Sequence, residues 1–355
     1  MKKIFIAFAL LFTSLFAEAQ TFTVNNVSGS GQNSWDLDAI VIGCNQKTKP
    51  PYTGPHTTGT FFEALQQANL GNIKKIVFAP GVSNVDLSSR WQQVTILCAS
   101  GVKITADHPV TIKSASNTSY KAFTVTGTND TIENITFQDA YLELNGTSTY
   151  LYNNTFISTQ TIVGICLFNT SKNKIEKNTF IKNNGSGNNS AIRLGTNQSE
   201  TIWGDTGNDT IINNTATGFW NGVEVGRWNN ATPTCNKLLI KGNTFYSNRN
   251  TGIYLIASSS STVDSNFVYG NIGGGLSVET SSENVIVKQN KIHNNSAHGI
   301  SVISSNNILI NANEIYGNST NGISISTSNS SNVTNNKIGI DNLGNISGNR
   351  YNGIE

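Results

Sequence analysis

One unit is written repeatedly in the second half of this chain, and its spacing constrains the fold more than any single motif. It runs Asn, any residue, Ile/Phe/Val, two residues, Asn, three residues, Gly, Ile/Leu, and then Val, Leu or Ile two positions later. The clear copies are Asn243/Phe245/Asn248/Gly252/Ile253/Leu255, Asn266/Val268/Asn271/Gly275/Leu276/Val278, Asn290/Ile292/Asn295/Gly299/Ile300/Val302 and Asn313/Ile315/Asn318/Gly322/Ile323/Ile325, with a degenerate Asn336/Ile338/Asp341 after them. The leading Asn recurs every 23 or 24 residues. A further apolar segment precedes each leading Asn, as in Leu238-Leu239-Ile240 and Ile308-Leu309-Ile310, so each unit holds three short strand segments. In Gly299-Ile300-Ser301-Val302 the apolar period is two, which turns Ile300 and Val302 to one side and Ser301 to the other. Equivalent strands of successive units must run parallel, and the crossover rule makes the superhelix right-handed. The expected fold is all-β, a right-handed parallel β-helix solenoid built from triangular coils, with a short N-terminal capping helix. Leucine is too sparse for the leucine-rich-repeat frame, and no 3.6-residue stripe supports a helical repeat.

Residues 1–19 read as a secretory signal: Met1-Lys2-Lys3, an apolar run to Phe16, and Ala17-Glu18-Ala19 as the cleavage site. Its removal leaves 21 basic against 20 acidic side chains, a net charge of +1. That balance implies neither nucleic acid nor an acidic lipid surface as a partner. Later apolar runs are too short for a membrane-spanning helix, so a secreted or cell-surface monomer without membrane insertion is expected. Secretion permits disulfides among Cys44, Cys98, Cys166 and Cys235, and three pairings are open. A Cys166–Cys235 bridge would have to span about two coils, at about 4.8 Å per coil, unless the loop holding Cys235 folds back. With no C-x-x-C pair, no metal site and no cofactor are implied.

Residues 20–90 hold a first strand at Thr21-Phe22-Thr23-Val24, a Gly-, Pro- and Thr-rich loop, and an amphipathic helix opened by a capping box at Thr60-Phe61-Phe62-Glu63, with Phe61, Leu65 and Ala68 on one face. Such a helix would plug the open N-terminal end of the solenoid. Residues 91–355 form the β-helix. The combination of Thr21-Phe22-Thr23-Val24, Gly59-Thr60-Phe61-Phe62-Glu63-Ala64-Leu65-Gln66-Gln67-Ala68-Asn69 and Ile76-Val77-Phe78 resembles the N-terminal cap of secreted bacterial β-helix proteins of the pectin-lyase-like superfamily. Thr60-Phe61-Phe62 stands where Ser-Leu-Arg is usual, and the 32–57 insertion is a departure. Ile338-Gly339-Ile340-Asp341-Asn342-Leu343-Gly344 resembles a turn of the same proteins. The resemblance implies a fold and a cap but no particular activity. The chain stops at Gly353-Ile354-Glu355, halfway through a strand segment, and so reads as truncated at its C-terminus.

Equivalent residues of successive coils form columns about 4.8 Å apart. Two Asn columns, headed by Asn243 and Asn248, are expected as amide ladders at the coil corners. A third column, Tyr246/Tyr269/His293/Tyr316, could stack on itself or offer a platform to sugar rings. The beat fails between Asn178 and Asn243, where the extra length predicts protruding loops. Trp203, Trp220 and Trp228 lie there, and the outward slot of the Gly-Ile-x-Val strand holds Arg193, Glu224 and Tyr254 where regular coils have Ser277, Ser301 and Ser324. With Arg227, these charges and rings would suit an oligosaccharide; the bland alternative is a surface Arg193–Glu224 pair of little worth. The candidate binding residues are Arg193, Trp220, Glu224, Arg227, Trp228 and Tyr254. No aspartate-rich calcium cluster, epimerase-type D-P-H run or glycosidase G-H-G segment is present. Gly204–Ile211 looks like one copy of a calcium-binding repeat, but such sites need tandem copies, so a plain turn is the better reading. The expectation is a secreted β-helix that binds extracellular polysaccharide. The alternatives are a polysaccharide lyase or epimerase acting on an acidic glycan, and the structural stalk of a longer surface protein.

Overall fold

The computed structural model describes residues 20–25, 60–87, 96–114, 121–183, 187–196, 204–226, 235–341 and 343–355. Residues 1–19, expected to be a signal, the 32–57 insertion, Cys44, Trp203, Arg227 and Trp228 lie outside the described residues. Among these, the strands fall into three long parallel sheets that the chain visits in turn. Sheet 1 has twelve strands, from Thr21–Val24 to Asn332–Thr334; sheet 2 has eleven, from Asn84–Asp86 to Lys337–Ile338; sheet 3 has ten, from Ile96–Leu97 to Ile323–Ser326. One repeat unit supplies one strand to each sheet, as with Leu239–Lys241, Thr244–Tyr246 and Ile253–Ile256. A fourth sheet, not foreseen from the sequence, joins Thr170–Ser171, Thr206–Gly207, Cys235–Asn236 and Ser258–Ser259 at the corner between sheets 3 and 1. Cys235 therefore opens a short strand, where a loop was expected.

The alternation read from the sequence sets the core. Ile300 and Val302 are fully buried and Ser301 is half-buried. A phenylalanine column crosses the sheet 2 strands, with Phe137 on Phe156 and Phe156 on Phe180 at ring separations of 4.9 Å. Helix α1 (Phe61–Asn69) begins as the capping residues predict, with Thr60 Oγ1 accepting from the Glu63 amide at 3.1 Å. Its Phe61, Leu65 and Ala68 are buried, and Phe61 meets Phe78 and Phe123 of the first coils.

Both Asn columns are hydrogen-bonded ladders. The first runs Asn154, Asn178, Asn214, Asn243, Asn266, Asn290, Asn313 and Asn336, each Nδ2 donating to the next Oδ1 at 2.9–3.1 Å. The same Oδ1 also accepts the preceding Asn's backbone amide, as at Asn266 and Asn290. Nδ2 bonds a carbonyl of the coil before, as from Asn290 to Val263 O at 2.9 Å. Such complete satisfaction is what lets an amide sit buried at each corner. The residue just before each ladder Asn turns the chain with a positive φ, even where it is Gln289 (56°) or Ala312 (55°). Outside glycine that conformation costs about 1–2 kcal/mol, and the ladder holds it. The second ladder runs Asn248, Asn271, Asn295, Asn318 and on to Asn349. It starts at Asn248, whose Oδ1 is buried without a partner.

Candidate functional site

On sheet 3 the register places Thr124, Glu143, Cys166, Arg193, Glu224, Tyr254, Ser277, Ser301 and Ser324 in one outward column. Arg193 lies between Ile192 and Leu194, and Glu224 between Val223 and Val225, all four apolar neighbours being fully buried on the inner side. The column is recessed from Glu143 to Ser277, where no member exceeds 9% exposure, and it opens at the half-buried Ser301 and Ser324. The irregular part of the repeat thus forms a polar strip sunk below the surface.

Arg193 Nη2 lies 3.3 Å from Glu224 Oε2 and donates to Asn188 O at 3.0 Å. The two side chains are 1% and 12% exposed, so the surface pair weighed from the sequence is instead a buried one. A buried pair of this kind owes its persistence to the groups that solvate it. Those groups come from the turns that lead into sheet 3. Ser190 Oγ donates to Glu224 Oε2, as does Asn221 Nδ2 at 3.4 Å. Asn221 Oδ1 in turn accepts from Thr251 N and from Asn250 Nδ2, both at 3.1 Å. One coil on, Tyr254 OH donates to Glu279 Oε2 at 3.1 Å, and Ser277 Oγ donates to Glu279 Oε1 at 2.6 Å.

Three of the six sequence candidates, Arg193, Glu224 and Tyr254, therefore stand side by side. Trp220 is half-buried on the turn just before the Glu224 strand, held by backbone bonds to Asn189 and Asn250. Arg227 and Trp228 lie outside the described residues. The sequence reading missed Lys121 and Glu143, paired at 3.0 Å, and Glu279. Glu143 could have been found, because Leu142-Glu143-Leu144 has the same in-out-in pattern as Ile192-Arg193-Leu194. It was hidden by Ala140 and Tyr141, which break the Gly-Ile frame. Lys182 was missed as well. Burial and the nearby Arg249 and Arg193 charges lower its ammonium to a pKa of about 8, and its Nζ, 5.8 Å from the Phe219 ring, has no hydrogen-bond partner.

Two further expectations are decided by geometry. Tyr246, Tyr269, His293 and Tyr316 stack face to face with centroids 5.3, 5.2 and 4.8 Å apart and ring planes within 7°. Their facing sides are occupied by one another, as in the register-pinning stack expected. In the calcium-repeat look-alike, Asp209 Oδ1 accepts from the backbone and side-chain nitrogens of Asn173, as a corner residue does. Cys98 is disulfide-bonded, whereas Cys166 and Cys235 are buried free thiols, which excludes their mutual bridge. Among the described residues no helix is long and apolar enough to cross a membrane.

A family model described as right handed beta helix region matches residues 196–338. The chain folds as a right-handed parallel β-helix. Its solved structural relatives are distant in sequence. The β-helix superposes on a mutant of the periplasmic alginate epimerase AlgG with a TM-score of 0.51 and 13% identity, over 80% of this chain and 72% of that one. PfbA, a surface adhesin of Streptococcus pneumoniae, gives 0.49 and 13%, over 77% and 85%. The A-module of the Azotobacter vinelandii mannuronan C-5 epimerase AlgE4 gives 0.43 and 14%, over 82% and 94%. No curated protein matches the sequence.

Proposed function

We propose that this β-helix is a secreted or cell-surface protein that binds extracellular polysaccharide along the recessed strip of sheet 3. The observation that carries this reading is the Arg193, Glu224, Tyr254 column. It is a linear run of charged, hydroxyl and aromatic groups at the strand spacing, lying where the repeat departs from its regular serines. A glycan chain laid across the coils would meet these groups in succession. Glu224 gathers all its described donors on Oε2, which leaves Oε1 to accept a sugar hydroxyl. Trp220 would border the strip. The fold likeness to an alginate epimerase supports a polysaccharide as partner.

A lyase or epimerase acting on an acidic glycan would need a cation to neutralise the uronate beside a base. Arg193 is already engaged by Glu224, which favours binding over catalysis. A glycan array followed by calorimetry tests the reading. Binding should weaken at least tenfold in Trp220→Ala and in Glu224→Gln. Unchanged affinity in both variants would remove the proposed face, and failure to bind any glycan would favour a structural stalk. Release of unsaturated products from uronate polysaccharides, or a change in their sugar configuration, would instead establish an enzyme.

A further inference from the structure

The strip carries an imbalance of charge that points to the chemical class of the glycan, an inference that rests on the glycan-binding reading above. Lys121 pairs with Glu143 at 3.0 Å and Arg193 with Glu224 at 3.3 Å. Glu279, only 7% exposed, has neither. Its two oxygens accept from Tyr254 and Ser277 hydroxyls, and among the described residues no lysine, arginine or histidine pairs with it. Buried carboxylates are ordinarily matched by a cation or a metal, because desolvation penalises a charge that is not. Lys182 does not fill that role, since its Nζ is sealed beside Phe219.

We infer that Glu279 selects for a glycan bearing a free, protonated amino group, which would sit against its carboxylate beside the Tyr254 ring. Glu279 and Glu224 flank Tyr254: Glu224 precedes it by one strand, and Glu279 lies two residues beyond Ser277 on the strand after it. An ammonium there is attracted to both carboxylates and to the face of the ring. The hydroxyls of Tyr254 and Ser277 hold the Glu279 carboxylate in place. An acidic glycan is disfavoured at this end of the strip, because its carboxylates would face that of Glu279.

The test compares hexosamine oligosaccharides with their N-acetylated counterparts, in several linkages, together with oligouronates of equal length. Affinities are measured by calorimetry on the full chain, in a buffer acidic enough to keep the sugar amine protonated. The free-amine forms should bind about tenfold or more tighter than the acetylated forms, the worth of a hydrogen bond to a charged group. Glu279→Gln should erase the difference between the two forms. Tyr254→Phe, which keeps the ring, should reduce the preference without reversing it. Equal binding of amine and acetylated forms, tighter binding of oligouronates, or a preference that survives in Glu279→Gln would overturn the inference and leave glycan binding standing. No binding of any of these sugars would overturn both. The wild-type comparison stands even if Glu279→Gln fails to fold.

Discussion

Asp209 provides a sharp test of how the corners of this solenoid are held. It belongs to a column at the corner between sheets 4 and 1 that includes Asp130, Thr149 and Asn173, in each of which a side-chain oxygen or neighbouring amide serves the next coil. Asn173 accepts from Thr149 N through Oδ1 and donates from Nδ2 to Thr170 Oγ1 at 2.8 Å. Asp209 repeats the first bond by accepting from Asn173 N at 2.8 Å. It cannot repeat the second. Its carboxylate can only accept: Oδ2 and the Oγ1 of Thr206, the strand partner of Thr170, are both buried, and the Thr206 hydroxyl is the group that can donate to it. Burial raises the Asp209 pKa from 3.8 to about 6, against the opposing pull of the Asn173 donors, the Thr206 hydroxyl and the Gly207 amide. Because the folded value lies above the unfolded one, the unfolded chain ionises first as pH rises. Asp209 therefore favours the fold below about pH 4, and its contribution declines as pH passes through 6. With folded and unfolded values of about 6 and 3.8, the loss on full ionisation is about 3 kcal/mol. Asp130, also raised to about 6 by burial, adds a loss of the same sign. Asp209→Asn keeps the Oδ1 acceptor and supplies the missing donor to Thr206. Urea unfolding followed by circular dichroism from pH 4 to pH 7.5 should show the variant close to wild type at the acid end. At pH 7 it should be more stable by about 2–3 kcal/mol. A gap that does not widen with pH, or a variant weaker than wild type at pH 7, would refute both the assigned ionisation and the ladder logic.

The same unfolding assay checks three further expectations. Asn290→Ala removes the acceptor for the backbone and side chain of Asn266 and the donor to Val263 O; stranding those buried groups should cost about 2–4 kcal/mol, against less than about 0.5 kcal/mol for alanine at the exposed Asn183. Gly275→Ala would place a Cβ 2.4 Å from Ile292 Cγ2 and 2.6 Å from Gly299 O and should fold poorly, whereas Gly348→Ala meets nothing within 4 Å and should be tolerated. Glu224→Ala leaves the Arg193 guanidinium buried beside a vacated carboxylate and should lose about 3–5 kcal/mol. Replacing both Arg193 and Glu224 by Met should cost less than Glu224→Ala alone.

The scaffold was legible because its information is periodic. The regular coils repeat the same inward Ile, Val or Leu and the same corner Asn, so four copies sufficed to give the strand order, the two ladders and the outward slots of sheet 3. What the period did not carry was lost. Asn349 extends the second ladder 31 residues after Asn318, and no fixed spacing could have linked them. The fourth sheet rests on two-residue strands such as Cys235–Asn236, too short to show any alternation. Glu279 lay in plain sight as the fourth residue of Leu276-Ser277-Val278-Glu279, but its significance comes from its having only hydroxyl partners among the described residues, which only three dimensions reveal.

Burial explains why the candidate site was readable in outline but misjudged in character. Alternation says which residues point away from the core, and it placed Arg193, Glu224 and Tyr254 together correctly. It does not say that the outer side is itself enclosed. The turns at Asn188–Ser190 and Phe219–Asn221 bring Asn188, Ser190 and Asn221 onto the same charges, and an expected surface pair becomes a solvated, buried one. That change alters what Arg193 can do. An exposed Arg193 could neutralise a uronate as readily as it pairs with Glu224, whereas a buried Arg193 committed to Glu224 cannot leave without stranding that carboxylate. Glu279, with only hydroxyl partners among the described residues, is the carboxylate that the proposed cationic ligand would meet. The regular coils, with serines at these positions, offer no such partner.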